Sequence, residues 1–280
     1  MRTTRFKDKN VLITGGSSGI GLATAKEFGK HGANLFLIAR NQERLEYAKN
    51  EISRSIPQAG NVVVFPIDVS VQKEVETTIQ TIIEKYGGID ILINNAGISI
   101  CGRLEDHSSE EHEKVLRINY LGVLYTLQAV YPHLKTKPGS HIGFVSSVAG
   151  YLGVFGFSAY AASKFAVTGL AESIRNEAKD YGIGVTMIYP PDTDTPMYHQ
   201  EMDNKLPECI ALSESAKLVQ PEEVAQKFVK GILKNKFEVF CNLESRLIRM
   251  LRFVLPGVYF NAVDNIIQKD RRKRKKATMS

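Results

Sequence analysis

The sequence has only three cysteines in 280 residues, Cys101, Cys209 and Cys241. They are odd in number, far apart and in no metal-binding or redox spacing, which excludes a disulfide framework and points to a reducing compartment. A secretory leader is not expected, because the apolar run from Val11 is interrupted at Thr14 and by glycines within a few residues. No cluster has metal-ligand spacing, so no metal is expected. His107, His112, His133, His141 and His199 stand in no triad context, read as surface or loop residues, and give no support to a hydrolase.

Charge is also scarce outside one end. The formal net charge is +6, and the run Lys269 to Lys276 alone holds seven basic residues against one acid, so the remainder is close to neutral. The basic character belongs to a tail, suited to an anionic surface such as membrane or nucleic acid, or to a solvated, disordered end.

What remains can bury one large core: 280 residues at 43% hydrophobic content fit a single domain. Branched apolar runs at Asn10 to Thr14, Asn34 to Ala39, Val62 to Ile67, Ile89 to Asn94, His141 to Ser146, Val185 to Tyr189 and Phe237 to Cys241 predict seven strands. Between them, Ile20 to His31, Gln42 to Arg54, Gln72 to Tyr86, Ser109 to Val130 and Ala159 to Tyr181 carry three- and four-residue apolar spacing and predict helices. This alternation implies an α/β, doubly wound, seven-stranded parallel sheet with helices on both faces, of Rossmann type. The polar stretch Pro191 to Gln220 fits the sheet poorly and reads as a substrate lid.

Thr14-Gly15-Gly16-Ser17-Ser18-Gly19-Ile20-Gly21 joins the first strand to the first helix. Glycines there let the backbone turn tightly and approach a pyrophosphate, which the free N–H groups of the helix N-terminus then hold. The second strand ends Ile38-Ala39-Arg40, where an acid would accept from a ribose 2′-hydroxyl; Arg40, with Arg44 a turn later, instead offers guanidinium groups to a 2′-phosphate. NADP(H) is therefore expected over NAD(H).

Tyr160 and Lys164 lie four residues apart near the start of a helix, on one face. A neighbouring ammonium is expected to lower the phenol from its ordinary value of about 10. Ser147 ends the fifth strand, at the carboxyl edge where doubly wound sheets hold ligands.

The Thr-Gly-x-x-x-Gly-x-Gly turn, Asp68-Val69, Asn94-Asn95-Ala96-Gly97, Ser147 and Tyr160-x-x-x-Lys164, all in register, resemble the short-chain dehydrogenase/reductase family from about Asn10 to Asn242. The resemblance implies a nicotinamide-dependent oxidoreductase. In it Ser147 hydrogen-bonds the substrate carbonyl, Tyr160 transfers the proton, Lys164 also holds the nicotinamide ribose, and Asn119 supports a water in the relay. It implies a cofactor site built from Gly15, Ser17, Ser18, Gly19, Ile20, Gly21, Arg40, Arg44, Asp68, Val69, Asn95, Ala96, Gly97, Tyr160, Lys164, Pro190, Thr193 and Thr195. Asp68 and Val69 would meet the adenine, and Thr193 and Thr195 the carboxamide.

Within that family, Gly153 to Glu172 and Tyr189-Pro190-Pro191-Asp192-Thr193-Asp194-Thr195-Pro196 are similar to the 3-ketodihydrosphingosine (3-ketosphinganine) reductase group, which implies reduction of a long-chain amino ketone. Tyr151, Leu152, Val154, Phe155 and Phe157 would flank its alkyl tail. Some members of that group carry an N-terminal membrane segment, and such a segment is not expected here. Another lipophilic ketone (steroid, retinoid or 3-oxoacyl) is the first alternative; a non-catalytic NADP(H)-binding or nucleic-acid-binding protein using the basic tail is the second, and the leading reading calls for no nucleic acid.

The chain divides into a catalytic domain, residues 1–245, and a segment 246–280. From Arg246 to Phe260 that segment is apolar but holds three arginines and a Pro-Gly break, so it makes a poor spanning helix. An apolar stretch followed by a cationic run suits adsorption to the cytoplasmic side of a membrane, peripheral or monotopic, of the endoplasmic reticulum in a eukaryote. A dimer-interface helix is the competing reading, and a homo-oligomer, dimer or tetramer, is expected.

Overall fold

A computed structural model describes residues 5–203, 205–213 and 217–278. Parts of two sequence readings thus lie outside the described residues: 204 and 214–216 of the lid-like stretch, and 279 and 280 of the tail.

The chain runs β1 (Asn10–Thr14), α1 (Gly19–Gly29), β2 (Asn34–Ala39), α2 (Gln42–Ser55), β3 (Val62–Pro66), α3 (Gln72–Tyr86), β4 (Ile91–Asn94), α4 (Ser109–Leu116), α5 (Gly122–Lys135), β5 (His141–Val145), α6 (Ser158–Glu177) and β6 (Gly184–Tyr189). Then follow α7 (Pro196–Met202), α8 (Pro207–Ser213), α9 (Pro221–Leu233), β7 (Glu238–Phe240), α10 (Leu243–Val254) and α11 (Pro256–Thr278). All seven strands pair in parallel in the order β3-β2-β1-β4-β5-β6-β7, the Rossmann-type arrangement expected.

Alternation along each strand divides the core between the faces. Leu35 and Leu37 of β2 pack with Phe28 of α1, Leu45 of α2 and Phe228 of α9. Phe36 and Ile38, one residue out of phase, pack with Ile79 of α3, Leu127 of α5 and Val167 of α6. Between β1 and β4 the strand order reverses, and the carboxyl ends open the crevice in which such folds hold ligands.

Four sequence readings change. The helix expected over Ser109 to Val130 is interrupted by a π turn at Arg117–Leu121, which re-aims Asn119 inward. The lid-like stretch holds α7 and α8. His141 is neither surface nor loop: it is buried in β5 with Nε2 2.8 Å from Thr186 Oγ1, and burial pushes it down to about 4.

The basic tail, expected to lack structure, is helical in α11, and two of its arginines have internal work. Arg271 Nε and Arg274 Nη2 each lie 3.1 Å from Glu208 Oε1 at the start of α8, where Arg103 Nη2 approaches to 3.2 Å. Glu208 is buried, which opposes its charge, but its own backbone amide and then Arg271 and Arg274 hold it down to about 2. Among the described residues no helix is long and apolar enough to cross a membrane.

Candidate active site

Thr14 and Asn95 weld β1 to β4 beneath the glycine turn. Thr14 Oγ1 accepts from the amides of Asn95 and Ala96 at 3.0 and 3.1 Å. Asn95 Nδ2 donates to the carbonyls of Thr14 and Gly15 at 2.9 and 3.2 Å, so its side chain supports the turn from below. Gly15 has φ +67°, and a Cβ there would stand 2.7 Å from Asn95 Nδ2; one on Gly21 would stand 2.1 Å from the Gly15 carbonyl oxygen. Only glycine permits this closeness.

The N-terminus of α1 is left open to an anion. Ser18 caps it without a side-chain hydrogen bond, and its first turn holds no acid. By contrast Asn41 caps α2 by accepting from the Arg44 amide at 2.8 Å, and Ser108 closes a capping box on α4. The unclaimed N–H groups of α1 therefore fit a pyrophosphate. Arg40 and Arg44 are both exposed beside this turn, their guanidinium groups free of any hydrogen bond or ion pair among the described residues.

These residues line one cavity of about 740 Å³, together with Ser17, Ser18, Gly19, Ile20, Asp68, Val69, Ala96, Gly97, Pro190, Thr193 and Thr195. Thr193 Oγ1 donates to the Pro191 carbonyl at 2.7 Å, and Thr195 Oγ1 to that of Thr193 at 3.2 Å while capping α7. Both hydroxyl protons are thus engaged, and what the oxygens retain is the capacity to accept, which suits the amino group of a carboxamide.

Ser147, Tyr160 and Lys164 meet on the same cavity wall. Ser147 follows β5 and its Oγ accepts from the Ala149 amide at 3.2 Å, with the Tyr160 phenol on its other side. Lys164 Nζ, a turn along α6, donates to the Val145 carbonyl at 3.1 Å and lies 5.6 Å from the Tyr160 ring centre. Asn119 does not face the cavity. Its Nδ2 donates to the Ile98 carbonyl and to Ser163 Oγ, both at 2.9 Å, and its Oδ1 accepts from the Ile98 amide at 2.8 Å. It fastens the loop after β4 to α6, within the catalytic wall.

The electrostatics differ from the sequence expectation. Tyr160 is held above the ordinary tyrosine value by burial first, and then by the carboxylates of Glu201 and Asp192, with Ser147 opposing. Lys164, itself brought down to about 8 by burial, gives its hydrogen bond to the Val145 carbonyl and not to the phenol. The pair is a neutral phenol beside an easily titrated ammonium.

The far end of the cavity is apolar. Tyr151, Leu152, Val154 and Phe157 line it as expected. Phe155 does not: its ring lies between the guanidinium groups of Arg103 and Arg271, at 5.5 and 5.8 Å. The remaining wall comes from Ile248 and Leu251 of α10 and Tyr259, Val263 and Ile266 of α11. Tyr151 Oη donates to the Ser245 carbonyl at 2.9 Å, and Arg249 pairs with Glu238 of β7, which fixes α10 in place. Sequence reading separated this segment from the catalytic domain; the structure makes it part of the cavity.

Residues 9–206 match the family described as short chain dehydrogenase. The chain belongs to that family. As a short-chain dehydrogenase it works with a nicotinamide dinucleotide, which the open α1 terminus and glycine turn fit. The chain is 43% identical over 230 residues to 3-ketodihydrosphingosine reductase of Bos taurus, covering 81% of this chain and 69% of the relative. It is 35% identical over 278 residues to the protein of that name in Dictyostelium discoideum, covering 94% and 83%. Among solved structures it resembles levodione reductase, with TM-score 0.77 and 32% identity over 84% of this chain and 96% of the other. A short-chain dehydrogenase/reductase from Burkholderia phymatum in complex with NAD shares the fold, with TM-score 0.78 and 22% identity over 89% and 94%.

Four further residues, Ser99, Tyr198, Glu201 and Lys205, also line the cavity and carry no motif in the sequence. Three of them come from α7 and the residues after it, in the polar stretch expected to be a substrate lid.

Proposed function

We propose that this short-chain dehydrogenase reduces the 3-keto group of 3-ketodihydrosphingosine, a long-chain 2-amino ketone, to the alcohol with NADPH. One observation carries the reading: a single cavity joins the phosphate-accepting turn, the Ser147–Tyr160–Lys164 wall and an apolar arm closed by α10 and α11. The polar end fits a cofactor and a ketone, and the arm fits an alkyl chain.

The nicotinamide supplies the hydride. Ser147 Oγ donates to the carbonyl oxygen and polarises it. Tyr160, kept protonated by burial, gives its proton to the same oxygen as negative charge develops there. Lys164 would hold the nicotinamide ribose when the cofactor is bound, and it returns a proton toward Tyr160. Asn119 keeps the Ile98 loop and Ser163 in register beside them. When the cofactor is bound, the N–H groups from Ser17 to Gly21 would hold the pyrophosphate, Asp68 and Val69 would border the adenine, and Asn95, Ala96 and Gly97 would lie along the ribose. Pro190, Thr193 and Thr195 flank the carboxamide. Arg40 and Arg44 select the 2′-phosphate, since Ala39 stands where an acid would repel it.

The outer surface of α10 supports a place at a lipid surface on the cytoplasmic side, that of the endoplasmic reticulum in a eukaryote. Leu243, Leu247, Met250, Phe253 and Val254 are exposed along it, next to Val258 and Phe260 of α11. Lys269, Arg272, Lys273, Lys275 and Lys276 are exposed further on, available to anionic headgroups. The opposite face of the same hairpin lines the cavity, so a chain leaving the bilayer would have a short path inward.

The test is NADPH oxidation over a ketone panel containing 3-ketodihydrosphingosine, steroid ketones and 3-oxoacyl thioesters. Preference for the long amino ketone supports the reading. Better turnover of any other class overturns the substrate and leaves the reductase chemistry. Salt-sensitive binding to anionic vesicles, lost when the exposed residues of α10 are made polar, supports the lipid surface; dimer loss in the same variant would favour a second copy on that face.

A further inference from the structure

The cavity wall formed by α7 and the loop after β6 carries more negative charge than its own cations balance. Asp192, from the loop after β6, pairs with Lys205 at 3.0 Å, and the lysine side chain is only 5% exposed. Lys205 also lies over the Tyr198 ring, 5.3 Å from its centre, so its position is determined. Glu201 of α7 stands in the same group without an arginine or lysine in ion-pair contact among the described residues. It lines the cavity, and it is close enough to Tyr160 for its carboxylate to oppose ionisation of the phenol. Ser99 Oγ beside it is buried and has no other partner among the described residues.

A half-buried carboxylate with no ion pair of its own is costly, and it is retained where a ligand supplies the missing charge. Burial, with Asp192 adding to it and with the Ser99 hydrogen bond and the Lys205 charge opposing, raises Glu201 to about 7, which agrees with a carboxyl that has no ion pair. Of the other cations on the cavity, Arg40 and Arg44 lie beside the glycine turn and Lys164 faces the Val145 carbonyl.

We propose that Glu201 is the binding residue for a substrate ammonium placed one carbon from the carbonyl that Tyr160 protonates, with Ser99 orienting its carboxylate. This rests on the amino-ketone reading and gives that reading a residue for selectivity. The consequence is chemical as well as geometric. An ammonium next to a ketone withdraws electron density and makes the carbonyl carbon a better hydride acceptor. A carboxylate that keeps the amine protonated therefore favours both binding and reduction. Ketones without the amine leave Glu201 covered and unpaired, so they are disfavoured.

The experiment compares kcat/KM for 3-ketodihydrosphingosine and for its analogue with hydrogen in place of the 2-ammonium, in the wild type, Glu201→Gln and Glu201→Asp, with NADPH binding followed by fluorescence as a check on folding. The ratio between the two ketones cancels any effect of Glu201 on Tyr160 itself. The wild type should prefer the amine by roughly 10- to 100-fold, as expected for a hydrogen bond between charged groups. Glu201→Gln should collapse that preference, mainly through KM for the amino ketone, and Glu201→Asp should keep part of it. A preference that survives in Glu201→Gln, or equal losses on both ketones, overturns the assignment while the amino-ketone reading stands. A wild type that reduces neither ketone overturns both.

Discussion

The Lys164 ammonium nitrogen lies 5.6 Å from the centre of the Tyr160 ring, one helical turn away on α6, yet its hydrogen bond goes to the Val145 carbonyl at 3.1 Å. Burial acts on the two in opposite senses, raising the phenol and bringing the lysine down to about 8. In the direction of reduction this is the useful order: the phenol arrives protonated, and the lysine is the group that can exchange its proton near neutral pH.

Tyr160→Phe should lower kcat by about 10²- to 10⁴-fold, the range for loss of a positioned proton donor. NADPH affinity, measured by fluorescence, should stay within a few fold. Wild-type turnover in the variant would remove Tyr160 from the chemistry.

Reduction should decline as pH rises through about 8, where Lys164 loses its proton, while Tyr160 sets no limb below that. With the amino ketone, kcat/KM should also rise through about 7 as Glu201 ionises. Lys164→Arg stays charged and should carry the alkaline limb upward, even at reduced kcat. A limb still near 8 in that variant belongs to another group.

Arg40→Asp should reverse cofactor preference, costing NADPH roughly 10- to 100-fold in kcat/KM, the worth of a charge-assisted hydrogen bond. Steady-state kinetics with NADPH and NADH decides it. If their ratio does not move, the 2′-phosphate is held elsewhere.

The hold of α11 on α8 should depend on acid. Glu208 is at about 2 in the folded chain against 4.5 ordinarily, so the unfolded form binds its proton first as pH falls. The contribution is complete above 4.5 and disappears as pH drops toward 2. Hydrogen exchange over Arg271 to Ala277 should accelerate across that window, and Glu208→Gln should show the acceleration at neutral pH. Unchanged protection in Glu208→Gln would mean that the arginines do not hold the helix.

Chain length should matter until the apolar arm is full. Each buried methylene adds about 0.8 kcal/mol, near fourfold in kcat/KM, so the profile over amino ketones of increasing length should climb and then level. Leu251→Asp, on the α10 wall, should cost the longest chains roughly 10- to 100-fold and the shortest little. A flat wild-type profile would place the tail outside the arm.

β1, β2 and α3 were legible to the residue, because their apolar periods are strong and local. The turn from Gly15 to Gly21 and the spacing of Ser147, Tyr160 and Lys164 were legible for the same reason: a tight turn and an i, i+4 pair are set by neighbours in sequence. The π turn at Asn119 was not, since it is held by Ile98 and Ser163, 21 and 44 residues away. Local pattern likewise could not show that α10 and α11 close the cavity, that Phe155 leaves it to lie between Arg103 and Arg271, or that Glu201 enters it. Nor could it give the sign of the shift on Tyr160. Spacing places charges along a helix, but burial and the carboxylates of distant elements set the cost of ionising a group, and those exist only once the chain is folded.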